Sequence, residues 1–239
     1  MTRGSNCPST SARDSIPERP NPVPWCRPWV RSRALSERTR NFVTTAVDPD
    51  TPREHLALIG GRGCGKTSAA ARLAADHPDF RLLDLDALIV AEAGGRTTPQ
   101  IVADGGWALW RELEYRVLQR ETAIPKPALV DCGGGIVVDF GEDEDEIFSA
   151  RKVDILRERC RVVYLRCNVE LLWSRVADDP NRPPLSGDRS FHALMTQREP
   201  WYQRAADWVI EADSLAPDEL AQKIAQWFFA PARGGRPAH

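Results

Sequence analysis

Lysine is scarce in this chain: Lys66, Lys126, Lys152 and Lys223 stand against a much larger number of arginines. Lys66 lies in the stretch GGRGCGKT at 60–67, where Gly60, Gly65, Lys66 and Thr67 satisfy the pattern GxxxxGK[ST]. Glycines let consecutive backbone N–H groups converge on phosphate oxygens, and the helix that follows adds the positive end of its dipole. A compact, mobile ammonium can follow the β- and γ-phosphates where a planar guanidinium fits poorly. Thr67 offers a hydroxyl to Mg2+. The chemistry implied is binding of a nucleoside triphosphate, with Gly61, Arg62, Gly63, Cys64, Gly65, Lys66 and Thr67 around the phosphates.

A phosphate loop does not name the acceptor, which must be read from other acidic and basic positions. LLDLDALI places Asp84 and Asp86 two residues apart at the end of an apolar run, hence on one side of a strand. One can serve Mg2+ through water, and the other can take a proton from a hydroxyl; the alternative is a helix N-cap followed by solvated acids. LVDCGGG puts Asp131 after two apolar residues, in the manner of a Walker B acid, and Gly133, Gly134 and Gly135 leave room for a small polar ligand. In WALWRELEYRVL, Trp107 and Trp110 stand at i, i+3, and so do Arg111 and Glu114. Arg111 is either a surface charge or one oriented by Glu114. NRPPLSGDR at 181–189 has the composition of a lid over phosphates, and QREPWYQRA supplies Arg198.

These residues need elements to position them. HLALIG, FRLLDLD, PALVDC, RVVYLRC and DWVIEA are short apolar runs that read as buried strands at 55–60, 80–86, 127–132, 161–167 and 207–212. Helical patterns lie between them: 65–76, 87–122 in two or three pieces, 147–159, 169–177, 189–205 and 216–229. Alternation of this kind implies an α/β protein in three layers, with a parallel sheet flanked by helices. Right-handed crossovers then bring every strand-to-helix loop to one edge, where ligands bind. The acidic run GEDEDEIF at 141–148 reads as the solvated, dipole-favoured start of a helix.

The ordered series GxxGxGKT at 60–67, DxD at 84–86, a tryptophan version of FRxxE at 110–114, GGG at 133–135, RPxL at 182–185 and RxPxY at 198–202 resembles shikimate kinase from about His55 to the last helix. The resemblance implies a five-stranded parallel sheet in the order 2-3-1-4-5, with a mobile lid. It also implies transfer of the ATP γ-phosphoryl group to the 3-hydroxyl of shikimate, a step of chorismate and aromatic amino-acid biosynthesis. Carried over residue by residue, Asp86 holds and activates the acceptor hydroxyl. Arg111 and Arg198 grip the shikimate carboxylate, Gly133 to Gly135 line its other face, and Glu114 holds Arg111. Arg182 closes from the lid onto the phosphates, Arg175 lies beside adenine, Thr67 ligates Mg2+, and Asp84 stands in its outer shell; Asp131, read above as a Walker B acid and a better match than many relatives show, suits the same outer shell. Lys66, Asp86 and Arg182 form the catalytic set. GGW at 105–107 replaces a common glycine–glutamate pair, and Pro184 stands where the lid often has leucine.

The remaining features bound the reading. A formal net charge of -2 argues against nucleic-acid binding by bulk charge. The expected partners are ATP and shikimate, with no nucleic acid and no membrane, and the expected state is a monomer. No apolar run approaches the roughly 20 residues that span a bilayer, and there is no secretory apolar segment. The six cysteines lack metal-ligand spacing and read as free thiols in a reducing cytosol, Cys64 being the most reactive; the expected location is cytoplasmic. Residues 1–53, rich in Pro, Arg and Ser, read as a disordered tail, a mis-assigned start or a targeting segment. Residues 54–230 read as the domain and 231–239 as a flexible C-terminal tail. Two rival functions remain: a kinase for another polyol carboxylate of quinate or gluconate type, and a regulatory module that binds ATP or shikimate without turnover.

Overall fold

The computed structural model describes residues 53–143, 145–177 and 190–230, together with Met1. The chain divides into two compact units, Met1–Ala46 and Val47–His239, and all the described residues but Met1 fall in the second. The expectations for the N-terminal segment, for residues 231–239 and for the lid with Arg182 lie outside the described residues.

Five strands form one parallel sheet: β1 (His55–Ile59), β2 (Arg81–Asp84), β3 (Ala128–Asp131), β6 (Cys160–Arg166) and β7 (Trp208–Glu211). Their spatial order is β2-β3-β1-β6-β7. Counting only these five, that is the expected 2-3-1-4-5. The labels differ because a two-stranded antiparallel ribbon, β4 (Val138–Phe140) and β5 (Glu146–Phe148), is inserted between the third and fourth. Every residue of β1 and β3 is buried, as a central parallel strand covered on both faces must be.

The two-residue period divides the core. Ala57 and Ile59 join Val130, Val162 and Tyr164 in one cluster, with Trp110, Leu113 and Val117 of helix α3 (Thr98–Thr122). Leu56 and Leu58 join Val163 and Leu165 in the other, with Ala69, Ala70 and Leu73 of α1 (Lys66–Asp76) and Leu220 and Ile224 of α7 (Pro217–Phe229). Burying each such aliphatic side chain is worth about 1.5–3 kcal/mol, so the continuous apolar runs hold the strands in the middle layer.

The helix pattern read over 87–122 resolves into α2 (Leu85–Glu92) and α3, and α3 is itself broken at Gly105 and Gly106. Gly106 has φ 67, a left-handed conformation that disfavours any side chain, so GGW is the kink that turns Trp107 and Trp110 inward. Helices α4 (Ala150–Arg159), α5 (Val169–Val176) and α6 (Phe191–Ala205) complete the layers. The expectation for 141–148 is corrected here. Glu146 begins β5 and is buried, and α4 starts only after Ser149. A run of acids looks solvated from its own neighbours, but Glu146 has a buried guanidinium to pair with, described below. Among the described residues no helix is long and apolar enough to cross a membrane.

Candidate active site

The parallel sheet brings the C-terminal ends of β1, β2 and β3 together where strand order switches, the crevice in which such sheets bind ligands. In register, Asp84 of β2 lies opposite Asp131 of β3, and Leu58 of β1 lies opposite the same Asp131. The loop after β1 turns into α1 through Gly65, whose φ of 96 only glycine adopts readily. That turn leaves the first N–H groups of α1 facing the crevice, without side-chain capping. The Lys66 ammonium is buried and donates to the carbonyls of Gly60 and Gly61, each at 3.0 Å. Burial opposes its charge, but Cys64, Asp131, Tyr202 and Asp86 around it prevail and hold its pKa above the ordinary lysine value. Thr67 donates its hydroxyl to Asp131, whose carboxyl is nevertheless raised by burial.

Asp84 and Asp86 do not share a strand face. Asp84 ends β2 and caps α2, accepting the Ala87 N–H at 3.0 Å, while Asp86 sits in the first turn of that helix. The two-residue argument fails because the strand stops at the first of the pair; what brings both acids to the crevice is the tight β2–α2 junction. Asp86 is open to solvent at the cleft mouth yet closely surrounded by protein. Desolvation first, then the Glu114 carboxylate, raise its pKa to about 6 against the pull of Lys66.

Arg111 and Arg198 supply the basic side. Arg111 is buried on α3, and its Nη1 donates to Glu114 Oε2 at 3.1 Å, with the guanidinium 5.5 Å from the Trp107 ring. The sequence left open whether Arg111 was a surface charge; it is the oriented one. Glu114 has no exposed surface and also accepts Lys152 Nζ at 2.7 Å. Burial favours its neutral form, but the two cations overcome this and lower its pKa. Burial first, and then the nearby Arg111 charge, outweigh the Glu114 and Asp139 carboxylates beside Lys152, so its pKa falls to about 8. Sequence reasoning assigned Lys152 no role; the available signal was a lysine on the apolar side of α4, beside Val153 and Leu156. Arg198, also buried, donates through Nε to Glu146 Oε2 at 2.9 Å and through Nη2 to Glu146 Oε1. The Tyr202 hydroxyl donates to the Gly134 carbonyl and stacks its ring on Tyr164.

A cleft of about 520 Å³ gathers these groups. Of the positions singled out in the sequence, Arg62, Gly63, Gly65, Lys66, Thr67, Asp84, Asp86, Arg111, Asp131, Gly133, Gly134, Gly135 and Arg198 line it, with Trp107 and Trp110. Gly61 and Cys64 lie in the loop itself. Cys64 is buried beneath it, with its sulfur 3.6 Å from Lys66 Nζ, which corrects the expectation of a reactive thiol, since reactivity requires access. Arg175 is exposed on α5, donates to the Gly63 carbonyl at 2.9 Å and does not line the cleft.

Gly133 to Gly135 are required by what packs on them. A Cβ at Gly133 would lie 2.7 Å from Asp86 Oδ1, and one at Gly135 only 1.9 Å from Arg111 Nη2. Gly135→Ala is therefore expected to push the Arg111 guanidinium off Glu114, with overpacking that costs about 1–3 kcal/mol. In steady-state kinetics the KM of the acceptor should rise about tenfold or more while the KM of the nucleotide stays near wild type. An unchanged acceptor KM would contradict this geometry.

The family model for shikimate kinase matches residues 62–228, from within the phosphate loop to the end of α7. A shikimate kinase of Leptospira biflexa is 37% identical over 173 residues, covering 72% of this chain and 94% of that protein. One from Xanthomonas campestris is 33% identical over 184 residues, 74% of this chain and 95% of its own. Among solved structures, the shikimate kinase of Acinetobacter baumannii in complex with shikimate superimposes with a TM-score of 0.64 at 31% identity, covering 74% of this chain and 93% of that one. The shikimate kinase of Aquifex aeolicus, at 22% identity and a TM-score of 0.60, shares the fold. The phosphate loop, the acid beside it and the pair of carboxylate-held arginines thus occur in a chain that matches these enzymes along nearly their whole length, and it belongs to the shikimate kinase family.

Proposed function

We infer that this enzyme transfers the γ-phosphoryl group of ATP to the 3-hydroxyl of shikimate, giving shikimate 3-phosphate and ADP. The observation that carries the choice of acceptor is the pair of buried arginines, Arg111 and Arg198, in one cleft with the phosphate loop and Asp86. A small carboxylate bound out of water needs guanidinium partners, which meet it with two parallel hydrogen bonds. Each arginine is held by its own glutamate, so neither must be ordered when substrate arrives.

The roles follow from position. The N–H groups of the loop and of the first turn of α1 receive the phosphates, and Lys66 turns from the Gly60 and Gly61 carbonyls to the β- and γ-oxygens. Asp86 orients the 3-hydroxyl and takes its proton as the oxygen attacks phosphorus. Arg175, outside the loop, suits contact with the nucleoside. Arg182 is assigned by resemblance alone.

Among the described residues no group of three or more His, Cys, Asp or Glu could hold a metal by itself. Mg2+ in phosphoryl transfer does not require one, because phosphates and water complete its shell. The hydroxyl of Thr67, hydrogen-bonded to Asp131 with Asp84 alongside, is a fitting donor set. Thr67 would ligate the ion directly, and Asp131 and Asp84 through water; the ion would neutralise charge on the transferred phosphoryl.

ADP release measured with shikimate, quinate and gluconate tests the assignment. Shikimate should give a kcat/KM at least about tenfold above either alternative. Equal or faster turnover of quinate or gluconate would reassign the acceptor, and ADP release with none of them would leave a binding module.

A further inference from the structure

The β4–β5 ribbon reaches both arms of the arginine pair. On β5, Glu146 is buried and takes the Nε–Nη2 edge of Arg198. That edge is the one an arginine would otherwise offer side-on to a ligand carboxylate. What remains is Nη1, which sits 3.4 Å from the Gly134 carbonyl in the glycine turn that lines the cleft. The Glu146 backbone is tied to the same helix, its carbonyl accepting Gln197 Nε2 at 3.1 Å. On β4, the Val138 carbonyl accepts Lys152 Nζ at 2.6 Å; Lys152 donates to Glu114, and Glu114 holds Arg111. The ribbon is anchored in turn, because Asp139 accepts Ser149 Oγ at 2.7 Å and Arg151 Nε at 2.8 Å.

Charge within the cluster is nearly balanced. Arg111, Arg198 and Lys152 face Glu114 and Glu146, and Asp139, 3.9 Å from Lys152, is shared with Arg151. A guanidinium so deeply buried would be poorly solvated without a counter-charge, and would turn towards whatever acceptor lay nearest.

We propose that Glu146, delivered by the β4–β5 ribbon, is a positioning residue for the acceptor: it fixes Arg198 by one edge, so that the Nη1 side is presented to the substrate carboxylate. This rests on the reading that Arg111 and Arg198 bind that carboxylate. Glu146 touches no reacting atom. It does for Arg198 what Glu114 does for Arg111, from a segment separate in the chain.

Steady-state kinetics on the full chain test this. Glu146→Gln keeps the shape but accepts from only one guanidinium nitrogen and leaves the positive charge uncompensated. The KM for shikimate should rise about tenfold, with kcat and the KM for ATP within about twofold of wild type. Glu146→Asp keeps the charge but cannot span both nitrogens, and should raise the same KM about threefold. In an Arg198→Ala background, Glu146→Gln should add less than about twofold, because the group it positions has gone. A merely structural role would instead multiply the two effects. Thermal melts identify a variant that fails to fold; should Glu146→Gln be one, Glu146→Asp decides. A shikimate KM at or below wild type in the folded variant, or independent effects in the double mutant, overturns the proposal. The two failures are separable. If Arg198→Ala raises the shikimate KM and the Glu146 variants do not, only the role of Glu146 falls. If Arg198→Ala itself leaves that KM unchanged, the reading of the arginine pair falls with it.

Discussion

Asp86→Asn is expected to lower kcat by about 10²–10⁴, the usual contribution of a positioned acid or base, while ATP binds as in wild type. The side chain stands in the first turn of α2, with the phosphate-loop lysine and the carboxylates of Glu114, Asp84 and Asp131 as its charged neighbours. Asparagine keeps the size and can still accept a hydrogen bond, but it cannot take up a proton. The same residue sets a pH dependence. Its pKa is raised to about 6, so below that pH it is protonated and cannot accept, and kcat should fall as pH drops through about 6. The residual activity of the Asn variant should lack this acidic limb. On the alkaline side, Lys152 loses its proton above about 8 and with it the charge that pairs with Glu114, the residue that holds Arg111, and the shikimate KM should rise. Nucleotide titrations and pH–rate profiles of both proteins check this. Near-normal kcat in Asp86→Asn would remove the residue from the chemistry.

The elements of this fold were legible because they are written in local pattern. HLALIG and PALVDC are continuous apolar runs, and both proved to be central strands buried on both faces. GGRGCGKT states its own loop, since its glycines and lysine act on neighbours a few residues away. Legibility failed where a residue's partner is far along the chain. Five acids in succession describe a solvated segment until Arg198, 52 positions after Glu146, is folded onto the last of them. Lys152 is silent for the same reason, because Glu114 lies 38 positions earlier. Asp86 was placed on a strand because the two-residue period extends past the true boundary, where Asp84 already caps the next helix. The glycines at 133–135 suggested room for a ligand, but a side chain there would meet Asp86, Glu114 and Arg111, so the glycines also make room for these residues.

Removing both arms of the arginine pair is the second large effect. Each hydrogen bond to a charged group contributes about 1.5–3 kcal/mol, and a factor of ten corresponds to about 1.4 kcal/mol. Arg111→Ala with Arg198→Ala should therefore lower kcat/KM for shikimate by about 10²–10⁴, with the KM for ATP little changed. The loss should fall mainly on the shikimate KM, because the carboxylate is remote from the hydroxyl that reacts. Burial strengthens the case: both guanidiniums lie out of bulk water, where a carboxylate left without a partner is costly. Arg111→Lys should still cost about tenfold, since one ammonium cannot reproduce the fork.

The most direct test compares shikimate with an analogue that lacks the carboxylate but keeps the ring and its hydroxyls. Phosphorylation of each is measured with the wild-type enzyme and with the Arg111→Ala, Arg198→Ala double mutant. Wild type is expected to prefer shikimate by about 10² or more in kcat/KM, and the double mutant to treat the two compounds alike. Equal phosphorylation of both compounds by wild type would show that the arginines do not select the acceptor, and would contradict the assignment of shikimate on this geometry.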